Sequence, residues 1–250
     1  EFYVSGGRPP YKWRVLSGSF PAGLQFQNGR LLGTAKSEGV YPVELQVGEH
    51  GHKINRKFEL VVRGKNLAST TAKVLSNVQQ TDAKRRDAMW LTVGKSLYAE
   101  NVEVIRDGRR LGKGSTFYSI NSKLSKKVDY YGYEWGTPQN IGFLGYHTGS
   151  MEENGGWFTS LNVEYRDKNG HWKSVEDLVI SPSLPPGEKP FNKPHFVEYL
   201  LAFKPVQTTA IRIIGKAGGA KHWYSKLTHF TSITELSAHG PLAGYDTLEQ

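Results

Sequence analysis

Six side chains able to stack on or hydrogen-bond a ligand lie between two segments with the pattern of β-strands. Residues 210–214 and 230–237 alternate apolar and polar positions, the period of two that half-buried strands show. Between them, after Gly218 and Gly219, come Lys221, His222, Trp223, Tyr224, Lys226 and His229. A long loop of this composition on two regular strands predicts a rigid scaffold that presents a recognition surface.

A second segment of this kind runs from His147 to Trp157 and also precedes a predicted strand. Trp223 and Tyr224 are neighbours, so in an extended segment they point to opposite sides and at least one is expected to be exposed. Trp157 follows a glycine pair near a strand start, where a core position and a ligand position are both open. Trp135 and Trp172, which alternate with polar residues inside predicted strands, are expected in the core.

Catalysis is not predicted. The chain contains no cysteine, no Gly-x-Ser-x-Gly turn and no His-Glu-x-x-His zinc motif. Glu152 and Glu153 are the acid pair considered as a glycosidase site. The two carboxyl groups of such enzymes face each other across a sugar, about 5 to 9 Å apart. Neighbouring residues on one loop do not indicate that arrangement, and we expect both to be surface charges.

Composition narrows the class of partner. The chain has 250 residues, 38% of them hydrophobic and 12% aromatic, and a formal net charge of +9. The charge favours anionic partners or serves solubility alone. The densest basic cluster, residues 84–86, has Asp82 and Asp87 on either side, and no nucleic-acid fold signature is present, so nucleic acid is not predicted. No apolar run reaches about 18 residues, so membrane insertion is not predicted either.

Residues 1–63 are predicted to be a small β-sandwich of about five short strands. Asn28-Gly29 is a strong signal for a two-residue hairpin. The stretches 6–13, 20–24, 29–35 and 38–47 resemble the immunoglobulin-like repeats of bacterial surface and secreted proteins. That resemblance implies a spacer domain, in which Trp13 is expected in the core. Glu1 already belongs to a strand-like stretch, so we expect an excised piece of a longer protein.

Residues 64–240 are predicted to be a second β domain, joined by the short linker 63–65, with 241–250 as a tail or linker. The stretches 66–72, 101–108, 131–146 and 205–240 resemble discoidin-like domains, the coagulation-factor C-type, galactose-binding-like group that includes many carbohydrate-binding modules. The predicted fold is therefore all-β, an immunoglobulin-like sandwich followed by a discoidin-like jelly-roll sandwich. Strands 131–135 and 141–146 are expected to be separated by a turn at Pro138.

The resemblance implies a structural calcium ion held by an Asp-Gly turn and by a glutamate of the last strand. Asp107 with Gly108, and Glu235, occupy those places, and Ser115 and Thr116 stand where further oxygen ligands are expected. Arg109 and Arg110 follow the turn directly and oppose a cation. An ordinary turn with an edge glutamate paired to arginine therefore stays an alternative.

The resemblance further implies glycan recognition by loops at one end of the second sandwich. An indole or phenol face packs on the C–H face of a pyranose, and polar side chains fix the hydroxyl pattern. We therefore expect a non-catalytic glycan-binding segment of a secreted or cell-surface multidomain protein, which targets a linked polysaccharide-degrading enzyme. The charge favours acidic polysaccharide, and an adhesive stalk that binds a host or matrix protein is the alternative. The predicted ligand residues are His147, Trp157, His222, Trp223, Tyr224 and His229.

Overall fold

The computed structural model confirms the all-β prediction and divides the chain into two compact units, residues 1–64 with 242–249 (unit 1) and residues 65–241 (unit 2). Among the described residues, the helical element with defined bounds is a 3-10 helix, Val102–Arg106. No helix in this part of the chain is long and apolar enough to span a membrane. The structure describes residues 2–6, 8–49, 51–68, 72–78, 97–98, 101–108, 116–119, 128–149, 151, 153–185, 196–220, 228–245 and 248.

Unit 1 contains a three-stranded antiparallel sheet in the order β1-β4-β5 and a two-stranded hairpin, β2-β3. Its core is aromatic: Trp13 lies 6.0 Å from Phe26 edge-on, and Phe2 lies 5.0 Å from Phe58, between ring centroids. Trp13 packs within this aromatic cluster but is only half-buried, so the predicted core position is reached in part. The strands are β1 Lys12–Gly18, β2 Leu24–Gln27, β3 Arg30–Gly33, β4 Gly39–Glu49 and β5 His52–Val62.

One detail of unit 1 follows from local sequence, and a second corrects the prediction of a tail. Asn28 and Gly29 both have positive φ, 47° and 79°, and join β2 to β3 with Gln27 opposite Arg30, which is the hairpin that the Asn-Gly pair predicts. The segment from Leu242 is not a free tail, because Val40 N–H donates to Ala243 O at 2.9 Å and Leu242 is buried.

Unit 2 is built on two strands of 20 residues each, β9 and β13, which pair antiparallel in the order β11-β10-β13-β9-β15. β12 adds to β13, β6 adds to β9, and β14-β8-β7 form a small separate sheet. The strands are β6 Lys73–Ser76, β7 Leu97–Tyr98, β8 Thr116–Ser119, β9 Val128–His147, β10 Phe158–Arg166, β11 Trp172–Ser174, β12 Val179–Ser181, β13 Glu198–Ala217, β14 Ser232–Ile233 and β15 Glu235–His239.

The turn predicted at Pro138 is wrong, since β9 continues through it as one strand. The irregularity lies in β13 instead. Its register against β9 shifts between Ala202 and Val206 and again between Thr208 and Ala210. Tyr133 from the first half of β9 and Tyr146 from the second are both fully buried in one core cluster.

The edge strand β15 is covered by the segment that opens unit 2. Leu67 N–H donates to Ala238 O at 2.7 Å, and Ala238 N–H donates to Asn66 Oδ1 at 3.1 Å. Trp135 Nε1 donates to Leu67 O at 2.9 Å, so this predicted core tryptophan also fixes the covering segment. An edge strand closed in this way offers no free ladder for pairing with another chain.

Candidate functional site

The flanks of the two predicted ligand loops are hydrogen-bonded to each other at one end of unit 2. His229 N–H donates to Asn154 O at 2.9 Å, and Ala220 N–H donates to Glu153 O at 2.8 Å. Gly156 N–H donates to Phe230 O at 2.6 Å. Residues 153–156 of the first loop thus lie against both ends of the segment 221–227. We call this joined region the loop end of unit 2.

Both ends of β9 are hydrogen-bonded to residues 231 and 232 of the same region. Asp129, near the start of β9, accepts the Thr231 N–H and hydroxyl through Oδ2 at 2.9 and 2.8 Å. Tyr146, near its end, donates its hydroxyl to Ser232 O at 2.8 Å. The loop end is therefore anchored to both ends of β9, as a preorganised binding surface requires.

Trp157 lies in the interior below the loop end. Its side chain is fully buried, and its backbone carbonyl accepts the Gly218 N–H at 2.9 Å. A Cβ atom at Gly218 would stand 2.1 Å from Trp157 Nε1, so the indole packs directly on the glycine backbone. Of the two positions left open by the sequence, the structure gives the core position, and this ring has no face toward a ligand.

His147 is also buried, with 1% of its surface exposed. Its Nε2 lies 2.9 Å from Glu198 Oε1, although the two atoms are not aligned as a hydrogen bond. His147 stands opposite Glu198 on β13 and opposite Glu235 on β15, in one row across three strands. It therefore cannot contact a ligand directly in this arrangement, and its partner Glu198 is the more accessible group, with 26% of the side chain exposed.

His229 is partly exposed and has a φ of 60°, an unusual value for a residue other than glycine. The bond from its N–H to Asn154 holds it at the loop end. Of the six predicted ligand residues it is the one described residue with an accessible side chain. His222, Trp223 and Tyr224 lie outside the described residues, as do Glu152 and the basic cluster 84–86.

The structure places the Asp107-Gly108 turn beside Glu235. Asp107 ends the 3-10 helix, and the next residue, Gly108, donates its N–H to Glu235 Oε2 at 3.1 Å. Glu235 is fully buried, whereas Asp107 is exposed. Carboxylate oxygens at a tight turn match the hard-ligand chemistry of calcium, which completes its shell with backbone carbonyls and water. The described residues contain no group of three or more His, Cys, Asp or Glu side chains placed for a metal.

Other residues around the Asp107-Gly108 turn form hydrogen bonds or ion pairs. The Tyr133 hydroxyl lies 2.6 Å from Leu236 O and 3.1 Å from Ile105 O, and these two carbonyls share its single O–H. Burial raises the pKa of this phenol well above its ordinary value, with the Glu235 carboxylate as a further cause. Arg106 contacts Ala72 O and Glu103. Ser115, Arg109 and Arg110 lie outside the described residues, and for Thr116 only the backbone is described.

Sequence reasoning missed two acidic residues of the loop end, Asp129 and Glu198. Asp129 directly precedes Tyr130-Tyr131 near the start of β9. Glu198 lies near the start of the mainly apolar run from Val197 to Phe203. A carboxylate inside such a run is a signal for a specific partner, because an ionised group is rarely buried alone. The predicted core position of Trp172 is also wrong. Its ring is partly exposed and lies under the guanidinium of Arg212, whose Cζ is 4.1 Å from the ring centroid.

No known protein family and no curated protein matches the chain. Solved structures similar to it include the module CpGH89CBM32-5 from Clostridium perfringens, in complex with GalNAc-β-1,3-galactose, at 14% identity and a TM-score of 0.45, covering 70% of this chain and 99% of that one. A structure of the Streptococcus pneumoniae β-galactosidase BgaA is similar at 11% identity and a TM-score of 0.46. The match covers 68% of this chain and 91% of that one. The family 32 module of Clostridium perfringens NanJ, in complex with galactose, is similar at 12% identity and a TM-score of 0.42. The match covers 69% of this chain and 96% of that one. The assignment of a ligand to this chain therefore depends on its own residues.

Proposed function

We propose that this chain is a non-catalytic glycan-binding segment whose ligand surface is the loop end of unit 2. One observation carries the proposal: the hydrogen bonds from His229 to Asn154 and from Ala220 to Glu153 join the two loops that hold the predicted ligand residues. Sugars are bound by an aromatic face together with several fixed polar groups, which a single loop rarely supplies. Two loops joined at their bases and anchored to both ends of β9 meet that requirement.

Within this surface, His229 and Glu198 are the described polar side chains that would contact sugar hydroxyls, and Trp223 or Tyr224 would provide the stacking face. His147 and Trp157 would act indirectly, His147 by holding Glu198 and Trp157 by supporting the backbone at Gly218. As part of a longer secreted protein, the segment would keep a linked enzyme close to its polymeric substrate, since tethering raises the local concentration.

The test is a glycan array followed by titration calorimetry of the best ligand, with the full chain and a Trp223→Ala/Tyr224→Ala variant. We expect affinity to fall roughly tenfold to a hundredfold, the usual loss when a stacking ring is removed. Tyr3→Ala is the control, because Tyr3 is 85% exposed on unit 1. A folded double variant that binds as tightly as the parent chain would reject this surface. A wild-type chain that binds no glycan at all would favour the adhesive-stalk alternative.

We also propose that Asp107 and Glu235 hold a structural calcium ion. The support is that the Asp107-Gly108 turn and the buried Glu235 carboxylate are joined by a hydrogen bond. The ion would supply positive charge to a buried carboxylate and fix the 3-10 helix on β15. It would stabilise the fold and take no part in glycan contact.

A further inference from the structure

Unit 1, predicted to be a spacer, has a sheet face with the composition of an anion-binding surface. In the β1-β4-β5 sheet, Val43 and Leu45 of β4 are buried and mark the core side. Residues of opposite parity point away from that core, because successive side chains of a strand alternate between faces. The cations on this outer side are Lys12, Arg14, Lys53 and Lys57, and we call them the basic face.

Strand register fixes the spacing of these cations. Lys12 and Lys53 both stand opposite Gly48, so they lie in one row on either side of a residue without a side chain. Their Cα atoms are two strand spacings apart, about 10 Å. Arg14 lies one row further along β1, about 7 Å from Lys12, and Lys57 lies two rows beyond Lys53.

The four cations are accessible, and Lys12, Arg14 and Lys53 have no acid in their own rows. All four are exposed, and none forms an ion pair with any residue that the structure describes. Of the two acids on this side, Glu44 stands directly opposite Lys57 and accepts the Ser17 hydroxyl at 3.3 Å, and Glu59 lies one row beyond. Elsewhere in the described chain, exposed cations such as Lys173 and Lys204 do have carboxylate partners. Exposed cations spread over neighbouring rows without ion pairs are complementary to a polymer that carries several negative charges.

The groups between the cations indicate what kind of polyanion fits. Gln46 Nε2 donates to Asn55 Oδ1 at 3.0 Å, so two side-chain amides are fixed in the row of Arg14. Amides and the Ser17 hydroxyl suit hydroxyl-rich chains. These rows contain no aromatic ring on which a base could stack, and no large apolar side chain to insert between lipids. We propose that the basic face binds an acidic polysaccharide, carrying carboxylate or sulfate groups, as a second glycan surface separate from the loop end.

The test compares two variants of the full chain with the same change in net charge. In the first, Lys12, Arg14, Lys53 and Lys57 are all replaced by Gln. In the control, Lys65, Lys73, Lys168 and Lys216 of unit 2, all exposed, are replaced by Gln. Binding to heparin and to polygalacturonate is measured by titration over a range of salt concentrations. We expect the first variant to bind roughly tenfold or more weakly and to lose most of the salt dependence, while the control stays within about twofold of the parent chain.

Two results would overturn the proposal. Equal losses in both variants would mean that the interaction depends on net charge alone. Binding of a DNA duplex or of phosphatidylserine vesicles that is as tight as heparin binding, and equally reduced in the first variant, would assign the face to another polyanion. Binding of neutral glycans at the loop end is measured alongside, and we expect it to be unchanged in the first variant. The two measurements therefore separate a wrong proposal for the basic face from a wrong proposal for the loop end.

Discussion

Thr231 gives both of its hydrogen-bond donors to a single carboxylate oxygen, Asp129 Oδ2, with the backbone N–H at 2.9 Å and the hydroxyl at 2.8 Å. Asp129 is 1% exposed, and Thr231 pairs with Gly156 in an isolated bridge. The start of β9 is thereby tied to the segment that carries His229 and to the loop that carries Asn154. This relationship, rather than the loops themselves, explains how two separate loops are held together at one end of the sandwich.

Replacing Asp129 by Ala should destabilise unit 2 by about 2 to 3 kcal/mol, because two charge-assisted bonds are lost and the Thr231 N–H is left buried. Thr231→Val, which removes only the hydroxyl, should cost about 1 kcal/mol. Chemical denaturation followed by circular dichroism measures both. Asp177→Asn is the control, since Asp177 is exposed and Asn tolerates its positive φ of 56°. An Asp129→Ala variant as stable as this control would contradict the anchoring role.

Gly218→Ala tests the support of the loop end by Trp157. The added Cβ would stand 2.1 Å from Trp157 Nε1 and 2.3 Å from Cε2, so the indole or the backbone must move. Overpacking of this kind costs about 1 to 3 kcal/mol. We expect lower stability, altered tryptophan fluorescence and weaker binding at the loop end. Gly136→Ala has open space around its Cβ and should change stability by less than about 0.5 kcal/mol. Similar behaviour of the two variants would argue against the support.

Local sequence predicted much of the fold and less of the site. The Asn28-Gly29 hairpin and β10 follow from turn chemistry and from a period of two, both of which act over a few residues. The continuity of β9 through Pro138 depends on register shifts in β13, about 65 residues away along the chain. The burial of His147 depends on which strands flank it. Such pairings are decided by tertiary packing, which periodicity does not encode.

Alkaline pH should destabilise unit 2 through its buried tyrosines. Burial raises the pKa of Tyr199 to about 12 and that of Tyr146 well above the ordinary 10.0, with Tyr199 and Asp129 as further causes for Tyr146. Because the folded pKa values exceed the unfolded value, this stability is fully present below pH 10 and is lost as the pH rises through about 12. Denaturation at pH 7, 10 and 12, with phenolate absorbance recorded in parallel, measures the loss.

Tyr146→Phe separates this ionisation effect from packing. The variant loses the hydrogen bond to Ser232 O and should be about 1 kcal/mol less stable at pH 7. It should also lose less stability than the parent chain between pH 10 and pH 12, because one group that resists deprotonation is gone. An identical alkaline loss in both proteins would show that Tyr146 does not contribute to it.

Calcium removal should lower the melting temperature, because an ion bound only by the folded state stabilises that state by mass action. At a free concentration about 100 times the dissociation constant, the contribution is about 2.7 kcal/mol. Asp107→Asn and Glu235→Gln should each reduce the difference between melting curves with calcium and with chelator. Asp107 is exposed, so its substitution leaves the fold testable even if the buried Glu235→Gln variant does not fold. Glu176→Gln, whose parent side chain is 72% exposed, should keep the full response to chelator. If the parent chain melts identically with and without chelator, then the Asp107-Gly108 turn and Glu235 form a hydrogen-bonded contact that needs no cation.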